Sequence, residues 1–321
     1  MDVAKTDKPT MPIETTLPSI SIAMCTYNGA RHIQPQIDSI LKQDYSGAME
    51  LVISDDCSTD GTWDFLIAIA TADPRVKILR NAQRLGFSDN FMHTIKRCTG
   101  DLIALSDQDD IWETKKLSIL ASNMGANLLI YSDSSLIGEN GESLGIKMSD
   151  RARMFSGSGT IPFCFWNCIS GHAMMIRKDL LTHALPFPAG IFHDWWLAAV
   201  AGSMGTIGYS SMPLVHYRQH SGSQTDSAQR RKRPRNSWGI YKARALLLSQ
   251  LANIPGTDQE YIKKLSTLWG KRRQEWFCPR LLIHIVRGTP EIFSTKRNGT
   301  SLKFMLSAFL GQRWRRKNGS E

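Results

Sequence analysis

Four times between Ser19 and Asn123, a short apolar run gives way to a polar turn and then to a stretch of helical periodicity. The apolar runs are residues 19–25, 51–53, 76–79 and 102–105, and a fifth follows at 128–131. The helical stretches are residues 31–42, 63–71, 87–98 and 113–123; in the first, Ile33, Ile37, Ile40 and Leu41 share one face. Strands that carry no polar alternation are buried on both faces, and helices between them do the covering. The pattern therefore predicts an α/β fold with a mainly parallel sheet flanked by helices. In such sheets ligands bind beyond the carboxyl ends of the strands. The polar turns at 26–29, 55–61, 81–86 and 106–110 all fall at those ends.

Past Ser132 the alternation stops. Asn140-Gly141 has the form of a hairpin turn. Residues 149–165 are rich in Ser and Gly and are predicted to form a mobile loop. Residues 173–176, 206–209 and 214–217 read as strands, 193–203 as a helix, and 238–320 as helical without strand signal.

The net charge of +10 conceals a division. Residues 1–220 carry 18 basic and 23 acidic side chains, and residues 221–321 carry 21 basic and 6 acidic. A mildly acidic body is thus followed by a strongly basic region, and basic regions meet polyanions such as an anionic membrane or phosphate-bearing lipids. The expected organisation is a leader over 1–18, a body over 19–222, a basic linker over 223–237 and a basic helical region over 238–321. Residues 302–310 mix Leu, Phe and Met before a basic cluster containing Trp314. That composition suits either a membrane interface or a core helix with a solvated end. No run is long and apolar enough for a transmembrane helix and no secretory signal is apparent, which predicts a cytoplasmic protein. The cysteines, Cys25, Cys57, Cys98, Cys164, Cys168 and Cys278, form no Cys-x-x-Cys pair and read as free, mostly buried thiols in a reducing compartment. A zinc site from Cys164, Cys168 and His172 is the weaker alternative.

Two acidic turns carry the chemistry. Ser106-Asp107-Gln108-Asp109-Asp110 places three carboxylates within four residues at the mouth of the sheet. Their mutual repulsion has a cost that a cation removes. Hard divalent ions accept carboxylate and phosphate oxygens together, so Asp107 and Asp109 have the chemistry of a seat for a metal-bound diphosphate. The plainer reading is a solvated loop with Asp110 capping a helix. The second turn, Asp55-Asp56-Cys57-Ser58-Thr59-Asp60-Gly61, also follows a strand, and a carboxylate there can accept hydrogen bonds from a base or a ribose.

The segments SIAMCTYNGA, LVISDDCSTDGT, RNAQRLGF, GDLIALSDQDDIW, SGHAMMIRKDL, HDWWL and VHYRQH, in this order, resemble the family 2 glycosyltransferases. The SDQDDIW form is similar to bacterial members that build rhamnose-containing or related surface polysaccharides. The resemblance covers residues 19 to about 222 and implies a GT-A (Rossmann-like) fold with a mixed, mainly parallel sheet. It also implies Mn²⁺ or Mg²⁺ as cofactor, a nucleotide-sugar donor (UDP- or dTDP-linked favoured) and a saccharide acceptor; the basic C-terminal region suits an acceptor that is lipid-linked and met at the inner membrane face. The resemblance assigns Thr26, Tyr27, Asn28, Asp55, Asp56, Arg84 and Asp107 to the nucleotide, with Asp55 and Asp56 undivided between base and ribose. Asp109 becomes the metal ligand, His220 a metal or phosphate contact, and Arg218 a neutraliser of leaving-group charge. Asp194 becomes the general base, which removes the acceptor hydroxyl proton while that oxygen attacks the anomeric carbon with inversion. His193 stands where the family has Glu. It is grouped with Trp195 at the diphosphate or acceptor, while core packing is the plainer role for Trp195 and Trp196 alike.

Two alternatives compete. A sugar-1-phosphate nucleotidyltransferase would carry a Gly-rich basic phosphate loop, of which Thr26-Tyr27-Asn28-Gly29-Ala30-Arg31 is a poor version. A non-enzymatic polyanion-binding protein would use the basic region, yet the chain has no nucleic-acid motif and the acidic turns would go unexplained. No nucleic-acid partner is expected.

Overall fold

The computed structural model describes residues 16–220, 237–256, 258–272, 274–296 and 301–310. Most of the leader, the basic linker and the cluster around Trp314 lie outside the described residues. Four strands form a parallel set: β1 (Ile20–Thr26), β2 (Met49–Asp55), β3 (Val76–Arg80) and β4 (Leu102–Ser106). The helices between them are α1 (Ile33–Leu41), α2 (Thr62–Ala72) and α3 (Phe87–Ile95). The short β5 (Ile111–Trp112) and α4 (Lys116–Met124) follow. A second group of strands comprises β6 (Leu129–Ile137), β7 (Ser143–Lys147), β8 (Met174–Arg177) and β9 (Ile207–Arg218). The sheet order is β3-β2-β1-β4-β8-β6-β9-β5, with β7 paired to β6. β8 runs antiparallel to both β4 and β6, and β6 runs parallel to β9, so the sheet is mixed as expected.

Strand order fixes where a ligand can enter. From β1 the chain winds outward through β2 and β3, then returns to place β4 on the other side of β1. This is a topological switch point, where the loops after β1 and β4 diverge and leave a crevice. Both faces of β1 are covered: Ile20, Ile22 and Met24 pack with Ile33, Ile37 and Ile40 of α1, whereas Ala23 and Cys25 belong to the opposite layer. The unbroken apolar run at the start of the chain has its cause here.

Three expectations are corrected. Residues 149–165 are no mobile loop along their whole length, because Ile161, Phe163, Cys164 and Phe165 are buried in the core. The glycines that suggest mobility serve shape instead: Gly157 and Gly159 adopt φ of 126° and 113°. The two strands read at 206–209 and 214–217 are one strand, β9, whose register against β6 slips next to Pro213. Asp110 caps no helix, since β5 follows it, and the N-cap of α4 is Lys115.

The C-terminal half continues with α5 (Leu181–Ala184), α6 (His193–Met204), α7 (Ser237–Leu251), α8 (Gln259–Lys271), α9 (Pro279–Arg287), α10 (Thr289–Ile292) and α11 (Ser301–Phe309). Leu248, Leu265, Trp269, Ile285 and Phe304 of these helices join the same core layer as α6 and residues 161–169. Phe165 is the centre of that contact, 5.1 Å from the Trp269 ring and 4.8 Å from Phe304. Phe165→Ala is expected to lower unfolding free energy by about 3–5 kcal/mol through the cavity it leaves. Chemical denaturation measures this, and a change below about 1 kcal/mol would place Phe165 outside the core.

Candidate active site

The loops after β1 and β4 are tied to each other. The Gln108 side chain accepts from the Tyr27 N–H at 2.9 Å and donates to the Tyr27 carbonyl at 3.1 Å, as a neighbouring strand would. Gly29 permits this approach, since a Cβ there would sit 2.3 Å from Gln108 Oε1. Asp55 ties the β1 loop from the other side. It accepts from Thr26 Oγ1 at 2.9 Å, from the Ser58 N–H at 3.0 Å and from Ser58 Oγ, and is fully buried. Asn28, with φ of 47°, accepts the Thr59 N–H through its side chain at 2.9 Å.

These ties frame a cleft of about 430 Å³. One wall consists of Tyr27 with the Arg84 guanidinium 3.8 Å over its ring. Asp56 lies beside it, held by the Leu85 and Gly86 N–H groups at 2.7 and 2.9 Å and by Asn81 at 2.9 Å. A carboxylate has about four acceptor positions, so one remains for a ligand donor. Thr26, Asp107, Gln108 and Asp109 line the floor, and His193, Asp194, Trp195 and His220 line the far side.

Carboxylates crowd this floor. Burial, then the charges of Asp109 and Asp194, push Asp107 up to about 8. Asp110 is fully buried, accepts the Arg218 N–H at 3.0 Å through Oδ1, and leaves Oδ2 without a hydrogen-bond partner among the described residues. His172 Nδ1 stands 3.9 Å from Asp107 and 4.0 Å from Asp110, and burial holds this imidazole neutral by lowering it to about 3. Lys116 is the nearest cationic side chain, although burial pushes its pKa well below the usual lysine range and the charges of Asp110 and Asp107 offset that only in part. It is completely buried, donates to the His172 carbonyl at 2.6 Å and sits 3.4 Å from the Trp112 ring centre. Its field favours ionised Asp110 and Asp107. His220 lies 2.7 Å from Asp109, and that hydrogen bond raises its pKa.

Two donor sets follow. Among the described residues Asp107, Asp110 and His172 form a group close enough to share an ion, but Asp110 is sealed from the cleft. Asp107, Asp109 and His220 open onto it. The ligand atoms of these three are not drawn together within 4.8 Å as those of Asp107, Asp110 and His172 are.

Asp194 stands in the first turn of α6, where the Trp195 N–H donates to it at 2.6 Å and the Gly171 N–H also favours its charge. Burial outweighs both and lifts it to about 6. His193 is buried against Phe91, ring centres 4.1 Å apart, and burial lowers it to about 3. Neither of its ring nitrogens has a partner among the described residues. Trp195 faces the cleft while donating to the Phe163 carbonyl at 2.6 Å, and Trp196 is in the core.

The structure thus brings Thr26, Tyr27, Asp56, Arg84, Asp107, Asp109, His193, Asp194, Trp195 and His220 to one cleft. It does not bring Asp55, Asn28 or Arg218 there. Arg218 is buried and spends its guanidinium on the carbonyls of Asp109 and Glu139, at 2.7 and 2.9 Å. Sequence reasoning missed Lys116, which reads as the solvated start of a helix, and the Gln108 clamp. His172 was weighed only for zinc, and its neighbours are carboxylates rather than Cys164 or Cys168.

Asp55→Ala should cost about 2–4 kcal/mol, because it strands three donors. The melting shift caused by a bound nucleotide should survive in the folded fraction. An unchanged stability with a lost nucleotide shift would instead make Asp55 a ligand-binding residue.

Comparison with known proteins gives the family from its sequence model and the fold from solved structures. The model of "Glycosyl transferase family 2" matches residues 21–184. A Haemophilus influenzae protein described as an uncharacterized glycosyltransferase is 26% identical over 78% of this chain and 80% of its own length. The Shigella flexneri dTDP-rhamnosyl transferase RfbG is 27% identical over 63% of this chain and 73% of its own. The Escherichia coli UDP-Glc:alpha-D-GlcNAc-diphosphoundecaprenol beta-1,3-glucosyltransferase WfgD is 34% identical, but over only 38% of this chain and 47% of that protein. Among solved structures, Staphylococcus aureus TarS 1–349 in complex with UDP-GlcNAc superposes with a TM-score of 0.59 at 17% identity, over 93% of this chain and 83% of that one. At that identity the likeness shows the fold alone, and the fold is GT-A. With the strand order, the acidic loop after β4 and the matched family model in agreement, the chain belongs to glycosyltransferase family 2 and is a glycosyltransferase.

Proposed function

We propose that this enzyme moves a sugar from a UDP- or dTDP-linked donor to a lipid-linked saccharide acceptor, with inversion, in bacterial surface polysaccharide synthesis. The observation that carries the reading is the convergence of Asp107, Asp109 and Asp194 on one cleft that the Tyr27–Arg84 stack also lines. The activities by which RfbG and WfgD are named support the donor and the acceptor class. Uracil and thymine both present an N3–H donor, which suits the open acceptor position of Asp56. The aromatic face of Tyr27 suits stacking on the base.

Asp107, Asp109 and His220 would hold Mn²⁺ or Mg²⁺. Their carboxylate and imidazole donors suit such an ion: burial and the Asp109 and Asp194 charges leave Asp107 short of positive charge, and His220 sits within hydrogen-bond range of Asp109, while the closer-spaced group of Asp107, Asp110 and His172 shares one of these ligands. When bound, such an ion neutralises charge developing on the departing diphosphate. The Mn²⁺ complex of the Pyrobaculum calidifontis mannosyltransferase PcManGT, a structure with a TM-score of 0.53 to this one, supports that choice of cofactor. Asp194 takes the proton of the acceptor hydroxyl as its oxygen forms the new bond to the anomeric carbon. The bond from that carbon to the diphosphate oxygen breaks on the opposite face. His193, neutral and packed on Phe91 with both ring nitrogens buried, backs the turn that carries the base. No helix among the described residues is long and apolar enough to cross a membrane; in this reading the lipid-linked acceptor is met at the inner membrane surface.

The sign of the pH dependence follows from Asp194. A base acts when deprotonated, and burial sets its pKa at about 6, so kcat/KM rises with pH through that value and levels off above it. Asp194→Asn should lower kcat about 10²- to 10⁴-fold, leave nucleotide affinity in place and erase the acid limb. A variant that keeps both its rate and its acid limb would remove Asp194 from the chemistry.

A further inference from the structure

The C-terminal helices bury one side and leave the other apolar. In α9, Leu281 and Ile285 are in the core, whereas Ile283 and Val286 are 53% and 50% exposed. In α11, Phe304 and Ala308 are buried, whereas Leu302 and Leu306 are 77% and 56% exposed. The two helices pack on each other and are joined where the Cys278 N–H donates to the Phe309 carbonyl at 2.7 Å. Phe277, half exposed, stacks near Phe309 at that joint with Trp276 beside it. The apolar side chains thus lie on adjacent elements rather than scattered singly, and such patches mark interaction sites.

Charge selects the occupant. Arg280, Arg287 and Lys303 are exposed on the same two helices. From residue 271 to 310 the chain carries eight cationic side chains against two acidic ones, Glu275 and Glu291. Just beyond α11 the sequence adds Arg313, Arg315, Arg316 and Lys317 around Trp314. Aliphatic and aromatic side chains interspersed with Arg and Lys match an acyl–headgroup boundary of negative charge, where the apolar groups enter and the cations meet lipid phosphates. A protein partner would not call for so uniform a sign.

We infer that the outer face of α9 and α11, with Phe277 at their joint, docks this enzyme onto an anionic membrane surface. The same helices are wedged against the cleft. Phe304 and Phe293 pack on Trp166, and the next residues, Asn167, Cys168, Ile169 and Ser170, line the cleft wall. A bilayer held by the outer face of α9 and α11 is thus separated from the cleft by α11 and the segment that follows Trp166. The inference deepens the lipid-linked acceptor reading, but its readout needs neither donor nor acceptor, so the two fail separately.

The test is co-sedimentation of the full chain with vesicles of phosphatidylcholine alone or with phosphatidylglycerol added. Two variants accompany the wild type: Ile283→Ser/Val286→Ser/Leu302→Ser/Leu306→Ser, and Arg280→Glu/Arg287→Glu/Lys303→Glu. The wild type should bind the anionic vesicles and release them as salt rises to about 0.5 M, where screening shortens to a few ångströms. Either variant should bind them at least about tenfold more weakly. All changed positions are exposed, so circular dichroism should report unchanged folding, and each double variant on a single helix serves if the quadruple one does not fold. Wild-type binding to neither vesicle, or equal binding by folded variants, overturns the inference. So does a dimer by sedimentation that the serine variant dissolves, because the face would then belong to a second copy of the chain.

Discussion

Four carboxylates, those of Asp107, Asp109, Asp110 and Asp194, stand at one end of one sheet, and everything around them is arranged to tolerate that charge. Burial raises Asp107, Asp110 and Asp194 alike, which is the signature of negative charge withdrawn from water without enough positive charge nearby. The chain supplies three partial remedies. Lys116 is buried behind the cluster, Arg218 presents its backbone N–H to Asp110, and His220 sits against Asp109. The deficit that remains faces the cleft, where a cation and a diphosphate can complete it. Local instability of this kind is a usual accompaniment of a binding site.

Topology makes the arrangement reachable. The switch point between β1 and β4 opens the crevice, and the Gln108–Tyr27 pairing keeps its two lips at a fixed separation. Asp55 and Asp56 show how closely structural and ligand roles sit. Adjacent in sequence and alternating across a strand end, one turns inward to hold Thr26 and Ser58 and the other outward to the cleft.

Much of this was legible in the sequence. The strand–turn–helix units follow from apolar runs too short for buried helices, and the acidic turns stand out because capping alone explains neither. Asp109 with His220, and Asp194 in the first turn of an apolar helix, were predicted through the family resemblance and lie together in the cleft. What could not be read depends on distant partners. Nothing local says that Arg218 will be consumed by carbonyls 79 and 109 residues away, that Lys116 will be buried under Trp112, or that β9 will absorb Pro213 by slipping its register. Residues 149–165 misled for a related reason: small and polar composition looks mobile until a core forms over Ile161–Phe163.

The central claim is that this carboxylate-rich cleft is completed by a divalent cation and a pyrimidine nucleotide together. Calorimetric titration of UDP and dTDP, each with and without Mn²⁺, into wild type and Asp109→Ala measures it directly. The account predicts tight binding of at least one nucleotide only when Mn²⁺ is present, with affinity reduced at least about tenfold in the variant. Binding of equal strength without the ion, or an Asp109→Ala variant indistinguishable from wild type, would contradict it.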